Sequence, residues 1–330
     1  MSQLDENEPV DEVQSESSSE IGSGQGLTIK VPAAVGNFGP GFETFGLAVN
    51  LYLRVSVKVQ APRKTQGIEI VPRGSIAEQL PTDSTNLIAK VIEHAWPQDP
   101  RLLSCLSITI ESDIPVSAGL GSSATATISG VTAALALSGI PLEKGRIFDL
   151  VLKVEGHAES ACASVFGGFT LCAPNIIPGD YLPRKLVWPD KWKLIAVMPQ
   201  YKVSSKKARA ALPASVSYKD AIMNVQRAAL LVEAVAAGDD EGMRAALRDR
   251  LHEPYKGKLV PELADLRKYL HESDALGTVL SGSGPTMLTI VNERYKTGVV
   301  QQLESWMEGQ KTPCQLMELQ VDTDGLIVDS

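Results

Sequence analysis

The chain has 330 residues, 44% of them hydrophobic, which supports a buried core and, by length, about two domains. Its formal net charge is −8, but residues 1–26 contain seven acids and no Lys or Arg, so the remaining body carries only −1. A nearly neutral body gives no electrostatic case for binding nucleic acid or a membrane surface. No apolar run is long enough to cross a membrane, and four scattered cysteines predict a reduced, cytoplasmic protein.

The acidic stretch, residues 1–26, is also rich in Ser and Gly. That composition is typical of a disordered tail, and we assign it no chemistry.

Hydrophobic periodicity predicts strands and helices throughout the first half of the body. The strands are predicted at residues 27–31, 51–59, 68–71, 106–110 and 169–173. The helices are predicted at residues 86–94, 124–137 and 142–155. A proline-rich stretch, residues 174–189, then predicts a connector between two domains, 27–190 and 191–330.

The second half continues with both kinds of element. Strands are predicted at residues 192–198 and 315–321, with two more inside 278–291. Helices are predicted at residues 218–237, 239–251, 261–271 and 295–307. Because strands and helices interleave without a regular βαβ rhythm, the sequence predicts an α+β fold.

A glycine- and serine-rich loop directly precedes the predicted helix 124–137. It reads Pro115-Val116-Ser117-Ala118-Gly119-Leu120-Gly121-Ser122-Ser123-Ala124, with Thr125 next. Its glycines let the backbone approach a bulky anion, and a helix start offers unpaired N–H groups with a partial positive charge. The loop therefore predicts a phosphate cradle and nucleotide binding. It is not a Walker loop, since G-x-x-x-x-G-K-[ST] is absent. A capped turn before a core helix is the structural alternative.

Glu155 shares a helix face with Phe148 and Leu152, and an acid on an apolar face needs a partner. A salt bridge or a frayed helix end would supply a structural explanation. A metal ligand facing the phosphate loop is the functional one. Mg²⁺ on ATP needs few protein ligands, and Glu155 with the Ser123 hydroxyl could supply them.

Three further loops carry polar or basic residues. Residues 37–43 (Asn37 to Glu43) follow the first strand as a tight Gly/Pro loop, which could be a plain turn. Residues 204–209 bring Ser205 and Arg209, whose stretch could meet phosphate or form a solvated helix start. Residues 281–285 form a second Gly/Ser loop, which could bind an anion or let two loops pack closely.

Taken together, these loops resemble the superfamily of galacto-, homoserine, mevalonate and phosphomevalonate (GHMP) kinases across residues 27 to about 328. The phosphate loop and residues 280–286 resemble the superfamily. Four stretches resemble its homoserine kinases: 31–46, 155–169, 206–213 and 251–255. The resemblance implies an N-terminal mixed sheet with helices, similar to ribosomal protein S5, and a C-terminal ferredoxin-like sandwich. The active site is expected between them.

The resemblance also implies an activity, phosphorylation of the hydroxyl of L-homoserine by ATP to give O-phospho-L-homoserine on the threonine route. ATP would lie on the phosphate loop with Asn86 touching the nucleotide, and Mg²⁺ would be held by Ser123 and Glu155. Arg209 would neutralise the transferred phosphoryl group, and Glu159 stands where relatives keep a catalytic Asp. The small-molecule substrate would be held by Asn37, Glu43, Ser160, Ser205, Arg209 and Lys256. A homodimer is one expected assembly.

The chain departs from the family pattern at this pocket. Glu43 stands where the family has Asp, Ser205 where it has Thr, and Lys256 where it has Arg. Residues 157–160 read His-Ala-Glu-Ser in place of His-Pro-Asp-Asn. These substitutions change the length and geometry of the side chains but keep the sign of each charge, so two alternatives stay open. One is a sibling kinase acting on a different small hydroxy compound, and the other is a non-catalytic sensor of nucleotide or metabolite.

Overall fold

A computed structural model of the chain describes residues 26–63, 67–95, 100–177 and 179–329. The acidic stretch therefore lies, apart from Gly26, outside the described residues, and its predicted disorder stays a prediction. Within the described ranges, no helix combines the length and apolarity needed to cross a membrane.

The described residues form eleven strands and eleven α-helices, with short 3₁₀ helices at Ala77–Gln79 and Glu293–Tyr295. The strands are β1 Gly26–Gly36, β2 Phe45–Val59, β3 Glu69–Arg73, β4 Leu106–Ser112, β5 Phe169–Pro174, β6 Tyr181–Leu186, β7 Trp192–Pro199, β8 Ala275–Leu280, β9 Met287–Asn292, β10 Cys314–Leu319 and β11 Ile327–Asp329. The helices are α1 Leu87–Ala95, α2 Pro100–Leu103, α3 Ser122–Leu137, α4 Lys144–Glu155, α5 Glu159–Phe166, α6 Ser205–Ala210, α7 Tyr218–Ala237, α8 Asp240–Ala246, α9 Glu253–Lys256, α10 Glu262–Tyr269 and α11 Lys296–Glu308.

The first sheet has seven strands and is mixed. Its main path runs β11-β1-β2-β4-β3, with β5 on β2 and β6 on β5. Among the described strands only β3 and β4 pair in parallel. Along β2 the odd positions from Leu51 to Val57 are buried and the residues between them are exposed or half-buried. That alternation confirms the predicted strand with one wet face.

Helices α3 and α5 pack against this sheet, α1 packs on α3, and α4 packs on both α3 and α5. α3 is buried along most of its length, because its residues are mainly small. Gly130 shows how closely α3 packs on α1, because a Cβ at this position would lie 2.6 Å from the Cβ of Val91 in α1. The tight packing fixes the start of α3, and with it the loop that precedes it.

The second sheet is antiparallel, with the order β10-β7-β9-β8, and it packs against helices from the second half of the chain. A separate cluster of buried residues, including Ile195, Leu266 and Trp306, forms its core. Two sheets with helices confirm the predicted α+β class. The boundary near residue 190 stays a prediction, and β11 joins the first sheet although it follows the second.

Some elements differ from their predictions for physical reasons. β6 forms inside the proline-rich stretch, because it pairs only with β5 and an edge strand tolerates Pro183. α8 ends at Ala246 instead of continuing to residue 251. The Asp249 carboxylate accepts bonds from the N–H groups of residues 251–253, which replaces helical bonding there.

Candidate active site

One cavity of about 220 Å³ gathers most residues that the sequence assigned to a site. Phosphate-loop residues line one side and the predicted substrate residues line the other. The predicted residues among its lining are Asn37, Glu43, Ser117, Gly119, Gly121, Ser122, Ser123, Ala124, Glu155, Glu159, Ser160, Ser205, Arg209 and Lys256. The fold therefore brings together residues that lie up to 219 positions apart in the chain.

The phosphate loop joins β4 to α3 and turns sharply. Ser117, Gly119 and Gly121 all have positive φ, at 59°, 82° and 75°. Gly121 is the N-cap of α3, and its side of the helix receives no capping side chain from the described residues. The amides of the first turn are thus left for an outside acceptor, where the helix dipole favours negative charge.

The second glycine loop packs directly on the first. Ser281 Oγ donates a hydrogen bond of 2.7 Å to the Gly119 carbonyl, and the Thr286 N–H lies 3.3 Å from the Ala118 carbonyl. A Cβ at Gly119 would lie 2.4 Å from the Ser281 carbonyl oxygen, so only glycine fits. The structure therefore shows close packing of the two loops, which was one of the two interpretations of residues 281–285.

Glu155 ends α4 beside the start of α3. Its carboxylate oxygen Oε1 accepts bonds from the Ser123 hydroxyl at 3.0 Å and the Thr127 hydroxyl at 2.5 Å. The partners that an acid on an apolar face requires are therefore hydroxyl groups. The described residues contain no group of three or more acidic, His or Cys side chains able to hold a metal unaided. A divalent cation here would need further ligands from a bound phosphate, as Mg²⁺ commonly does.

The loop from Asn37 to Glu43 is held at both ends and in the middle. Asn37 and Glu43 adopt positive φ, and the Asn37 side-chain oxygen accepts the Glu43 N–H at 2.7 Å. The Asn224 amide donates to the Pro40 carbonyl at 2.8 Å, and Nε2 of buried His252 lies 3.0 Å from the Gly39 carbonyl oxygen. These contacts fix where the Glu43 side chain enters the cavity.

Arg209, on α6, extends across the mouth of the cavity. Its Nη2 lies 3.3 Å from Glu43 Oε1 and 2.9 Å from Nδ1 of His157. The Arg209 and Glu43 side chains are about half exposed, at 54% and 47%. A pair with this exposure is weak, so either group can turn to a ligand at low cost.

Glu159 and Lys256 are the buried charges of the cavity, each 5% exposed. Burial raises the pKa of the Glu159 carboxyl, and its Oε2 atom has no hydrogen-bond partner among the described residues. Burial lowers the pKa of the Lys256 ammonium, which donates to the Gly282 carbonyl at 3.2 Å and lies 5.0 Å above the Phe42 ring. A polar ligand between these two groups would satisfy both.

Some predicted residues lie outside the cavity lining. Asn86 caps α1: its oxygen accepts the Ile88 N–H at 3.0 Å and its nitrogen donates to the Pro81 carbonyl at 2.8 Å. Nucleotide contact by Asn86 stays a prediction, and its amide already has protein partners. The other predicted residues outside the lining are Pro115, Val116, Ala118, Leu120 and Thr125.

Sequence reasoning gave no role to His157, Phe42 or Ser283, and all three line the cavity. His157 follows Glu155 by two residues and precedes Glu159 by two, so its place between two candidate acids was the available signal. The ring of Phe42 stacks on His252 at 5.2 Å, a contact that no local pattern reveals.

Two family descriptions match the chain. Residues 86–168 match the GHMP kinases N terminal domain, and residues 231–309 match the GHMP kinases C terminal domain. The chain is 38% identical to a homoserine kinase of Aquifex aeolicus over 267 residues, which is 81% of this chain and 87% of that protein. It is 34% identical to a homoserine kinase of Clostridium botulinum over 307 residues, 92% of this chain and 99% of that protein.

A solved structure supports the same fold. The crystal structure of a homoserine kinase from Cytophaga hutchinsonii superposes with a TM-score of 0.77 and 24% identity, covering 92% of this chain and 97% of that one. With relatives above 30% identity over nearly their whole length, the chain belongs to the homoserine kinases of the GHMP kinase family.

Proposed function

We propose that the chain transfers the γ-phosphoryl group of ATP to the side-chain hydroxyl of L-homoserine, giving O-phospho-L-homoserine. The observation that carries the proposal is the shared cavity: the start of α3 lies on one side, and a wall with charged and polar side chains lies on the other. The names of the curated relatives support the choice of substrate.

The phosphate loop fits ATP, because free amides at the start of α3 and a positive dipole face the cavity. Glu155 and Ser123 fit Mg²⁺, since a carboxylate and a hydroxyl lie 3.0 Å apart beside that loop. When bound, Mg²⁺ would neutralise negative charge that develops on the phosphate oxygens. Ser123, already hydrogen-bonded to Glu155, would keep the carboxylate oriented toward the phosphates.

The opposite wall fits an amino acid. Lys256 would face the substrate carboxylate and Glu43 its ammonium group, with Asn37, Ser160 and Ser205 completing the polar lining. Lys256 offers a point charge where an arginine would offer two parallel donors. Arg209 would leave Glu43 and His157 to neutralise the transferred phosphoryl group.

Glu159 is proposed to accept the proton of the attacking hydroxyl. Its free Oε2 atom and its raised pKa suit a group that must take a proton near neutral pH. Phosphoryl transfer depends mostly on positioning and charge, so a strong base is not required. We therefore expect Glu159→Gln to lower kcat by about a hundredfold at most, the small end of the usual range for general bases.

The experiment is an ADP-release assay with a panel of small hydroxy amino acids. We expect the highest kcat/KM with L-homoserine, and faster turnover of another alcohol would reject the substrate assignment. No ATP turnover with any alcohol would instead favour the non-catalytic sensor.

The altered pocket favours one second candidate, a sibling kinase for a different small alcohol. The double variant Glu43→Asp with Ser160→Asn restores two family residues. Better homoserine turnover in that variant supports the first proposal. Loss of turnover on another alcohol supports the sibling kinase.

We also propose a cytoplasmic location and a homodimer. The cysteines Cys105, Cys162, Cys172 and Cys314 are all unbridged, which suits a reducing compartment. Sedimentation equilibrium at micromolar concentration tests the dimer, and a mass near 35.3 kDa would contradict it.

A further inference from the structure

A second cavity lies behind the candidate active site. It is a groove of about 1170 Å³ between α7, α8, α9, α10 and β8. It shares no lining residue with the first cavity, and α9 separates the two: Lys256 faces the active site while Glu253 and Gly257 line the groove. The proposed reaction gives this groove no role.

The groove is strongly basic on a body that is nearly neutral overall. Its lining includes two lysines and five arginines, Arg227, Arg244, Arg248, Arg250 and Arg267. Among the described residues, only two acids line it, whereas acids slightly outnumber bases over residues 27–330 as a whole. A concave surface with one sign of charge concentrates its field and attracts small ions of the opposite sign.

The two acids of the lining are buried and accept bonds from the protein, although Oδ1 of Asp249 has no partner among the described residues. Asp249 Oδ2 accepts the N–H groups of residues 251, 252 and 253 at 2.7 to 3.0 Å. Glu253 is buried, takes the Leu280 N–H at 2.8 Å and pairs with Arg267 at 2.6 Å. These acids neutralise at most one of the arginines.

Some of the guanidinium groups are held in place without being neutralised. Arg244 Nη1 donates to the Ala275 carbonyl at 2.5 Å, and Arg227 Nη1 donates to the Ala245 carbonyl. A carbonyl bond uses one of the five N–H donors of an arginine and leaves its positive charge unpaired. Arginines oriented in this way are ready to bind an anion with little loss of side-chain freedom.

Three other cations of the groove have no acidic partner in the part of the chain that the structure describes. The side chains of Arg248 and Lys268 have no hydrogen bond or ion pair within the described part of the chain, and both residues are exposed. The Arg250 side chain donates a hydrogen bond to the Met223 sulfur at 3.4 Å, and no acid in the described ranges pairs with it. The nearby acids Glu262 and Asp265 accept bonds from Tyr201 and Trp306 instead.

We propose that this groove binds a small phosphorylated molecule carrying at least two negative charges. Guanidinium groups match phosphate oxygens in pairs, and lysines add point charges that suit phosphate. The groove is larger than a single carboxylate needs, so it can take a phosphate group together with the molecule that carries it. The proposal does not depend on the proposed reaction.

The test is titration calorimetry of the full chain with inorganic pyrophosphate, carried out with a non-hydrolysable ATP analogue and Mg²⁺ present to fill the phosphate loop. The double variant Arg248→Ala with Lys268→Ala removes two groove cations whose side chains form no hydrogen bond or ion pair with the described residues. Arg73→Ala, on β3 and outside the groove lining, is the matched control.

We expect wild type and Arg73→Ala to bind pyrophosphate with the same Kd and the double variant to bind at least about tenfold more weakly. An equal Kd in the double variant, or no binding to wild type, would overturn the proposal. Malonate tests the phosphate class: weaker binding than pyrophosphate supports it, and equal or tighter binding overturns it. Failure of the kinase assay changes none of these outcomes, because they follow anion binding and not turnover.

Discussion

Glu155→Gln is the sharpest test of the proposed magnesium site. The substitution keeps the side-chain shape and one carbonyl oxygen, which can still accept the Ser123 and Thr127 hydroxyls that contact Oε1. The free energy of unfolding should therefore fall by only about 1 kcal/mol or less. What disappears is the negative charge beside the phosphate loop. Loss of one preorganised electrostatic element of this kind lowers kcat by about a hundredfold or more.

Thr127→Val provides the matched control, because it removes one hydrogen bond to Glu155 and leaves the charge. A single lost hydrogen bond of about 1 kcal/mol corresponds to roughly a fivefold fall in kcat. Both variants are measured by ADP release across a Mg²⁺ titration. We expect a raised Mg²⁺ requirement for Glu155→Gln and an almost normal one for Thr127→Val. A fully active Glu155→Gln enzyme with an unchanged Mg²⁺ requirement would remove Glu155 from the site.

Three further predictions concern stability. Gly119→Ala places a Cβ 2.4 Å from the Ser281 carbonyl at a φ of 82°, so the free energy of unfolding in urea should fall by more than about 2 kcal/mol, and a loss below about 0.5 kcal/mol would contradict the close loop contact. Asn86→Ala removes the cap of α1 and should cost about 1 kcal/mol, whereas an unchanged free energy of unfolding would show that the cap contributes nothing. Because burial raises the pKa of Glu159 above its ordinary 4.5, the native state holds the carboxyl proton more tightly than the unfolded state does. The native state therefore loses stability as pH rises from 4.5 through the raised pKa. Glu159→Gln should therefore have a higher Tm than wild type at pH 8, with the difference shrinking toward pH 5, and a difference independent of pH would count against the buried carboxylate.

Local sequence patterns were enough to predict the parts of the fold that depend on local rules. The alternation along β2 matches the two-residue period of a strand, and the Ala- and Leu-rich composition of α3 favours a helix. β6 was missed because proline normally argues against a strand, and only the free edge of β5 makes Pro183 acceptable. α8 was predicted too long, because nothing local shows that Asp249 captures three backbone N–H groups.

The candidate site likewise has a part that local patterns predict and a part that depends on contacts between distant residues. The loop at the start of α3 and the need of Glu155 for a polar partner were predictable, because glycine, serine and helix signals are local and an acid on an apolar face stands out, while phosphate and metal binding there stay predictions. The structure places Glu155 3.0 Å from Ser123, a contact that the sequence only suggested. The roles of His252 and Phe42 could not be predicted, since they depend on a ring contact between residues 210 positions apart. The basic groove was missed for a related reason, because its cations come from α7, α8, α10 and the loops after α8 and α9, and only the fold brings these segments together.

The most direct measurement is a crystal structure of the chain with a non-hydrolysable ATP analogue, Mg²⁺ and L-homoserine. We expect the phosphate oxygens to accept hydrogen bonds from the amides at the start of α3, and the metal ion to be bound by Ser123 and Glu155. We expect the amino acid to lie between Glu43 and Lys256. A triphosphate bound anywhere else, or a metal ion without Glu155 among its ligands, would contradict these expectations.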